Sequence, residues 1–303
     1  MSEPGMPQAP RRAALTFIFV TVVLDMLALG MVVPVLPHLI EDFLGGDIPR
    51  AAQLVGLFST VWAVMQFFSM PVMGALSDRF GRRPVILLSN FGLGLDYVLM
   101  ALAPTLSWLF VGRLISGVTA ASVSTSMAYV ADVTPPERRA QSFGFVGVAF
   151  GLGFVLGPAI GGLLGSIDPR LPFWAAACAS LLNAAYGFFI LPESLQREKR
   201  RAFEWRRANP LGSLRFLRAH REVFALAGAT FLSNLTHAVL PAVFVLYSAY
   251  RYGWDEKAVG LALAGVGISS ALVQGVLVGP LVRRIGGRRV MIGGLLAGTA
   301  GFM

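Results

Sequence analysis

Three charged side chains stand inside long apolar runs of this 303-residue chain: Asp25, Asp96 and Arg113. An ionised group is costly to keep in an apolar helix, so it faces a cavity or a partner and marks a route for ions or polar ligands. Asp25 comes 13 residues after Arg12, and Asp96 comes 13 residues after Arg83. At about 1.5 Å of rise per residue, both acids lie roughly 20 Å beyond a basic boundary. Arg113 comes nine residues after Pro104, hence about 14 Å in from the opposite boundary. Two acids and one base are therefore expected at one level. A carboxyl placed there can exchange a proton as its surroundings change, or recognise a cationic group, while a guanidinium holds the local charge balance. A purely structural charge network is the competing reading.

The elements that hold these residues must cross a membrane. Hydrophobic residues make up 55% of the chain, charged residues only 14%, and the mean hydropathy is +0.69. A soluble domain uses about 25% charged residues. Apolar runs of about 20 residues, enough to cross a bilayer, recur along the length. Eight spans are expected near 14–40, 52–76, 84–103, 106–131, 143–166, 172–192, 222–249 and 258–281, with a ninth starting near Val290 and running to Met303. Pro34, Pro71, Pro158 and Pro241 inside these runs predict kinks rather than ends. The expected parts are a tail (1–13), a six-helix half (14–192), a central loop (193–221) and a second set of helices (222–303).

Loop charge sets the orientation. Of the 25 basic residues, 20 fall before span one or after spans two, four, six and eight. Cytoplasmic loops retain Lys and Arg, so the N-terminus is expected in the cytoplasm. The same distribution accounts for the net charge of +9 without nucleic acid, because no basic stripe carries interleaved aromatics. The first span is too long for a signal peptide, contains Asp25 and has no small-residue cleavage site after it. One cysteine, Cys178, excludes disulfides within the chain and cysteine-metal sites, and it is expected to pack in a helix. Three dispersed histidines offer no catalytic cluster. No enzyme, resident metal or cofactor is expected.

Two short loops repeat. Gly74 to Pro84 carries Asp78, Arg79, Gly81, Arg82 and Arg83, and Gly279 to Arg289 aligns Gly279 with Gly74, Arg284 with Arg79, Gly286 with Gly81 and Arg288 with Arg83. Each follows the second helix of its half, as an internal duplication would have it. Gly74 and Gly81 are expected to permit a tight turn and close helix approach. Span five carries Gly153, Gly157, Gly161 and Gly165 four residues apart, a face on which a second helix can pack backbone to backbone, with Pro158 adding a bend. The central segment mixes basic residues with Phe203, Trp205, Leu214, Phe216 and Leu217, suiting either a helix on the membrane surface or a solvated linker.

The Gly74–Pro84 loop resembles the signature of major facilitator superfamily transporters between their second and third helices. That resemblance implies two six-helix halves around a cavity, rocking against each other, with the chain read as ending in the ninth of twelve helices. It implies a latch in which Asp78 accepts from nearby cations and Arg82 pairs with Asp132. The run Gly157-Pro158-x-x-Gly161-Gly162 is similar to the superfamily's antiporter motif. A narrower set, Leu24-Asp25 to Gly30 with Pro34 and Pro37, Met65-Gln66-Phe67, Leu95-Asp96-Tyr97, Gly112-Arg113 with Gly117, and Leu191-Pro192-Glu193-Ser194, resembles the tetracycline/proton antiporters of Gram-negative bacteria. This resemblance implies proton-coupled efflux of a drug-like molecule, tetracycline as a divalent-metal complex. It makes Asp25 and Asp96 essential acids, places Gln66 and Gln274 at the cavity, and puts the protein in the bacterial inner membrane as a monomer among lipids. Where that family carries a third membrane aspartate, this chain has Gly298. Asn234, Thr236 and His237 are further polar candidates. Another metabolite or sugar as substrate, or an inactive fragment, are the alternatives.

Overall fold

A computed structural model describes residues 8–205, 208–209 and 221–301, and among these it is helical with no strand. Span one forms α1 (Gln8–Val32) and α2 (Leu36–Phe43). Here the sequence expectation of a mere kink is corrected. Pro34 has no N–H to donate back to Gly30, and the amides of Val33 and Val35 instead bond three residues back, to Gly30 and Val32. Pro37 in the first turn of α2 suits a new helix start. Span two is one long helix, α3 (Ile48–Phe80), opened by Asp47, whose carboxylate accepts from the Arg50 amide at 3.0 Å. After the Gly81 turn, α4 runs Arg82–Leu102.

Span four is also interrupted, into α5 (Leu106–Thr119) and α6 (Ser122–Val133), where a continuous helix is expected. No proline lies at this break. Hydroxyl groups crowd it: Ser116 donates to the Arg113 carbonyl, Thr119 to that of Ile115 and Ser124 to that of Ala121. Such side chains compete with the helical ladder for its carbonyls. Then come α7 (Arg139–Gly165), α8 (Leu171–Ile190), α9 (Arg221–Tyr252) and α10 (Glu256–Leu272). A π-helical turn, Val273–Val278, leads to α11 (Gly279–Ile285) and α12 (Gly287–Gly301). Pro71, Pro158 and Pro241 lie inside unbroken helices.

Among the described residues, six segments from Leu15–Phe43 to Leu171–Ile190 are long and apolar enough to cross a membrane. Their outer faces carry Phe67, Leu88, Phe91, Leu95, Leu182 and Phe189, all exposed, as a lipid-facing surface requires. Cys178 is exposed as well, so it does not pack inside the bundle as expected from sequence.

Two apolar clusters hold this half together. One joins α1, α2, α3, α4, α5 and α8 through Met31, Val35, Phe58, Met100 and Phe173, and the other joins α1, α4, α6 and α7 through Phe17, Ile18, Ile86, Tyr129 and Val146. Without a hydrophobic drive between helices in lipid, close approach through small residues matters more. On α7, a Cβ at Gly153, Gly157 or Gly161 would collide with Met26, Gly30 or Met31 of α1. Gly162 faces the other way, onto Glu256 and Gly260 of α10, and Gly260 in turn abuts the Pro158 carbonyl. Helix α7 is thus gripped on both sides, and a small cluster of Val245, Val259 and Leu263 with Val33 and Phe244 extends that contact. These contacts lie at the end of the bundle away from the arginine-rich loops.

The segment after α8 is a short 3₁₀ turn, Arg197–Lys199, within irregular chain. Phe203 and Trp205 meet edge to face, with ring centroids 5.0 Å apart. The remainder of the central segment, with Leu214, Phe216 and Leu217, where a surface helix or a solvated linker is expected, lies outside the described residues.

Candidate functional site

Asp25, Asp96 and Arg113 are 5%, 1% and 8% exposed, all within the first six-span half. Asp96 sits on α4 opposite Gly112 of α5, where a Cβ would come 2.8 Å from Oδ1 and 2.7 Å from the Met100 side chain. Glycine at 112 therefore makes room for the carboxyl. Arg113 follows it on α5 and donates to the Met100 sulfur at 3.3 Å, a weak acceptor for a guanidinium. Among the described residues no ion pair joins Arg113 to either acid, although Arg113 and Asp96 lie within electrostatic reach and Ser116 stands near the carboxyl. Both Asp96 oxygens and the Arg113 Nε are buried without a hydrogen-bond partner.

Asp25 occupies a separate polar pocket. Its Oδ1 accepts from Asn183 Nδ2 of α8 at 3.1 Å, and the same nitrogen donates to the Thr21 carbonyl at 3.2 Å. Ser122 stands near the carboxyl from α6. Because span four breaks at Ala120 and Ala121, Ser122 opens α6 at the level of the acid. Tyr97 on α4, 3% exposed, lies within electrostatic reach of Asp25, Asp96 and Arg113. Both acids thus act on one tyrosine.

Gln66 is half-buried on α3, where Gly117 of α5 packs onto Trp62 and Met65. Gln274 falls in the π-helical turn; its side chain, like those of Asn234, Thr236 and His237, lies outside the described residues. Gly298 on α12 has open space around it.

The loop between α3 and α4 is a second charged centre. Gly81 takes φ +108°, which a side chain rarely adopts. Arg82 pairs with Asp78 at 2.6 Å and with Asp132 at the end of α6 at 3.0 Å, and also reaches Ser77. Arg83 donates to the Phe188 carbonyl and lies 5.9 Å over that ring. Arg79 stacks on Phe80 at 5.1 Å. Gly74 lies within α3 and not in the turn expected of it, and among the described residues a Cβ there would meet nothing.

Sequence reasoning missed the part played by Glu193. Its Oε1 accepts from the amides of Arg82 at 2.9 Å and Leu195 at 3.0 Å, and its Oε2 lies 3.8 Å from Arg200. Ser194 donates to Asp132, Tyr129 to the Pro192 carbonyl, and the Arg201 amide to the Asp78 carbonyl. The segment after α8 is thereby bound to the loop. Its signal was an acid placed just after the sixth apolar run. Asn183 was missed too, since one amide in an apolar helix carries no pattern.

Comparison with known proteins fits this architecture. The Major Facilitator Superfamily model matches residues 18–303. Over 290 residues the chain is 41% identical to the class C tetracycline resistance protein of Escherichia coli, covering 96% of this chain and 72% of that one. It is 37% identical over 286 residues to the class D tetracycline resistance protein of Salmonella ordonez, covering 94% and 71%. The solved structure of the human organic anion transporter MFSD10 (TETRAN) matches with a TM-score of 0.71 at 29% identity, covering 91% of this chain and 73% of that one. With these matches over nearly its whole length, and with helices that pair across a duplicated loop, the chain belongs to the major facilitator superfamily.

Proposed function

We propose that the chain is a proton-coupled exporter of a drug-like molecule, with tetracycline carried as a divalent-metal complex as its substrate. The observation that carries this reading is the placement of two carboxyls, Asp25 and Asp96, in separate buried pockets of one half, with Arg113 beside Asp96 but not ion-paired to either. An acid locked to an arginine holds its charge through the cycle. An acid without that lock can exchange a proton when the pocket opens to water, and identity to tetracycline resistance proteins supports the cargo.

The arginine-rich loops face the cytoplasm of a bacterial inner membrane, as their charge favours. The contacts of α7 with α10 then close the halves at the outer side. Release outward requires that contact to part, and the Asp78–Arg82–Asp132 pairs are the latch that reforms during the cycle. Gln66 and Gln274 contribute at the cavity. The glycines at 153, 157 and 161 and Pro158 keep α7 tight on α1 while Gly162 parts from α10. Support for a monomer is the completeness of both acid pockets within one chain.

Inverted membrane vesicles test the reading. Respiration should drive accumulation of labelled tetracycline with Mg²⁺, a protonophore should dissipate it, and Asp25→Asn and Asp96→Asn should each abolish it at unchanged protein level. Accumulation indifferent to the protonophore, or intact in both variants, contradicts it.

A further inference from the structure

We propose that Asn183 is a positioning residue for proton exchange at Asp25: it holds Oδ1, so that Oδ2 is the oxygen that takes up and releases the proton. The inference rests on the proton-coupled reading above and deepens it.

The orientation of the Asn183 amide follows from its partners. It is fully buried, and one nitrogen lies 3.2 Å from the Thr21 carbonyl and 3.1 Å from Asp25 Oδ1. A backbone carbonyl only accepts, so the group facing it must be the NH₂ and not the amide oxygen. The second hydrogen of that NH₂ then points to Asp25. Thr21 and Asp25 are four residues apart on α1, so they share one face of the helix, and the fork of two hydrogens spans them. Asn183 is thereby tied to the backbone of α1 as well as to the acid, and the carboxyl is fixed by a donor that does not itself titrate.

The two oxygens of Asp25 are consequently unlike. Oδ1 is occupied as an acceptor, whereas Oδ2 is buried without a hydrogen-bond partner. In the proposed step an O–H bond forms at Oδ2 with a proton taken from water on the outer side, and breaks to return that proton to water on the cytoplasmic side. Asn183 donates to Oδ1 in both states, so the carboxyl need not rotate between them. Tyr97 on α4 and Ser122 on α6 are the other polar groups close to this acid.

The test uses the full chain in liposomes with Asn183→Leu, of similar bulk, and Asn183→Ser as a second variant in case the first is not recovered. Infrared difference spectra across an acid-to-base step identify the Asp25 carbonyl band by its loss in Asp25→Asn. That band should move to higher wavenumber in the Asn183 variants, because its carbonyl loses a donor; an unmoved band overturns the proposal. Gradient-driven uptake of tetracycline with Mg²⁺ should fall roughly ten-fold or more, the scale of one hydrogen bond to a charged group, while tetracycline exchange without a gradient stays near that of the unsubstituted chain. Equal loss of both indicates a role in folding only and overturns it. If the unsubstituted chain does not move tetracycline, the substrate reading fails, and the infrared band alone decides the role of Asn183.

Discussion

Gly81 and Gly286 occupy matched turns, at φ +108° and +84°, between α3 and α4 and between α11 and α12. Both turns join helices at an angle that a side chain resists, so the duplicated glycines answer a backbone requirement. The surroundings differ. Around Gly81, Asp78, Arg82, Asp132 and Glu193 form a connected network, and a Cβ would run into the Glu193 carboxylate. Around Gly286 a Cβ would meet nothing among the described residues, where Arg283, Arg284, Arg288 and Arg289 are exposed. The sequence explains the divergence: Arg283 stands where the first loop has Asp78, and Gly287 where it has Arg82. Turn geometry persisted in both copies, whereas the Asp78–Arg82 pair of the first loop has no counterpart at Arg283 and Gly287.

Substitutions can break that contrast. Gly81→Ala should have the largest effect, since the strained backbone costs about 1–3 kcal/mol and the collision with Glu193 adds to it. Gly286→Ala should show the backbone cost alone, and thermal melts of the purified protein compare the two. Equal shifts would mean that Glu193 does not brace the first turn. Arg82→Gln comes next: losing its pairs with Asp78 and Asp132 should cost roughly 1–3 kcal/mol and lower transport, and Asp132→Asn should reproduce most of that loss. In the second loop Arg284→Ala should stay within about 0.5 kcal/mol, as for a surface site. The smallest effect is expected from building the missing pair, Arg283→Asp with Gly287→Arg. An exposed ion pair contributes about 0–1 kcal/mol, so a larger gain in the melting temperature would show that the second loop has partners of its own.

How far such features can be read from sequence depends on whether they have a local cause. Asp25, Asp96 and Arg113 are conspicuous because charge in an apolar run has few places to go, and the helices follow from the length of those runs. Glycine spacing on α7 foretells a helix against one face. It does not say that Gly162 faces α10 instead of α1, because adjacent glycines point to different sides. The break at Ala120 is set by hydroxyls whose choice of carbonyl depends on the folded helix. Asn183 and Glu193 act across 158 and 111 residues of sequence, a distance at which one chain gives no pattern. Gly74 shows the reverse, since a glycine in a recognisable motif lies inside a helix and not in the turn.

The central claim, that Asp25 and Asp96 exchange protons against substrate, is tested most directly by proton release from the purified protein in weakly buffered detergent solution. Addition of tetracycline with Mg²⁺ should release protons from the unsubstituted chain, less from Asp25→Asn or Asp96→Asn, and none from the double variant. Release of the same size from all four proteins would contradict the account.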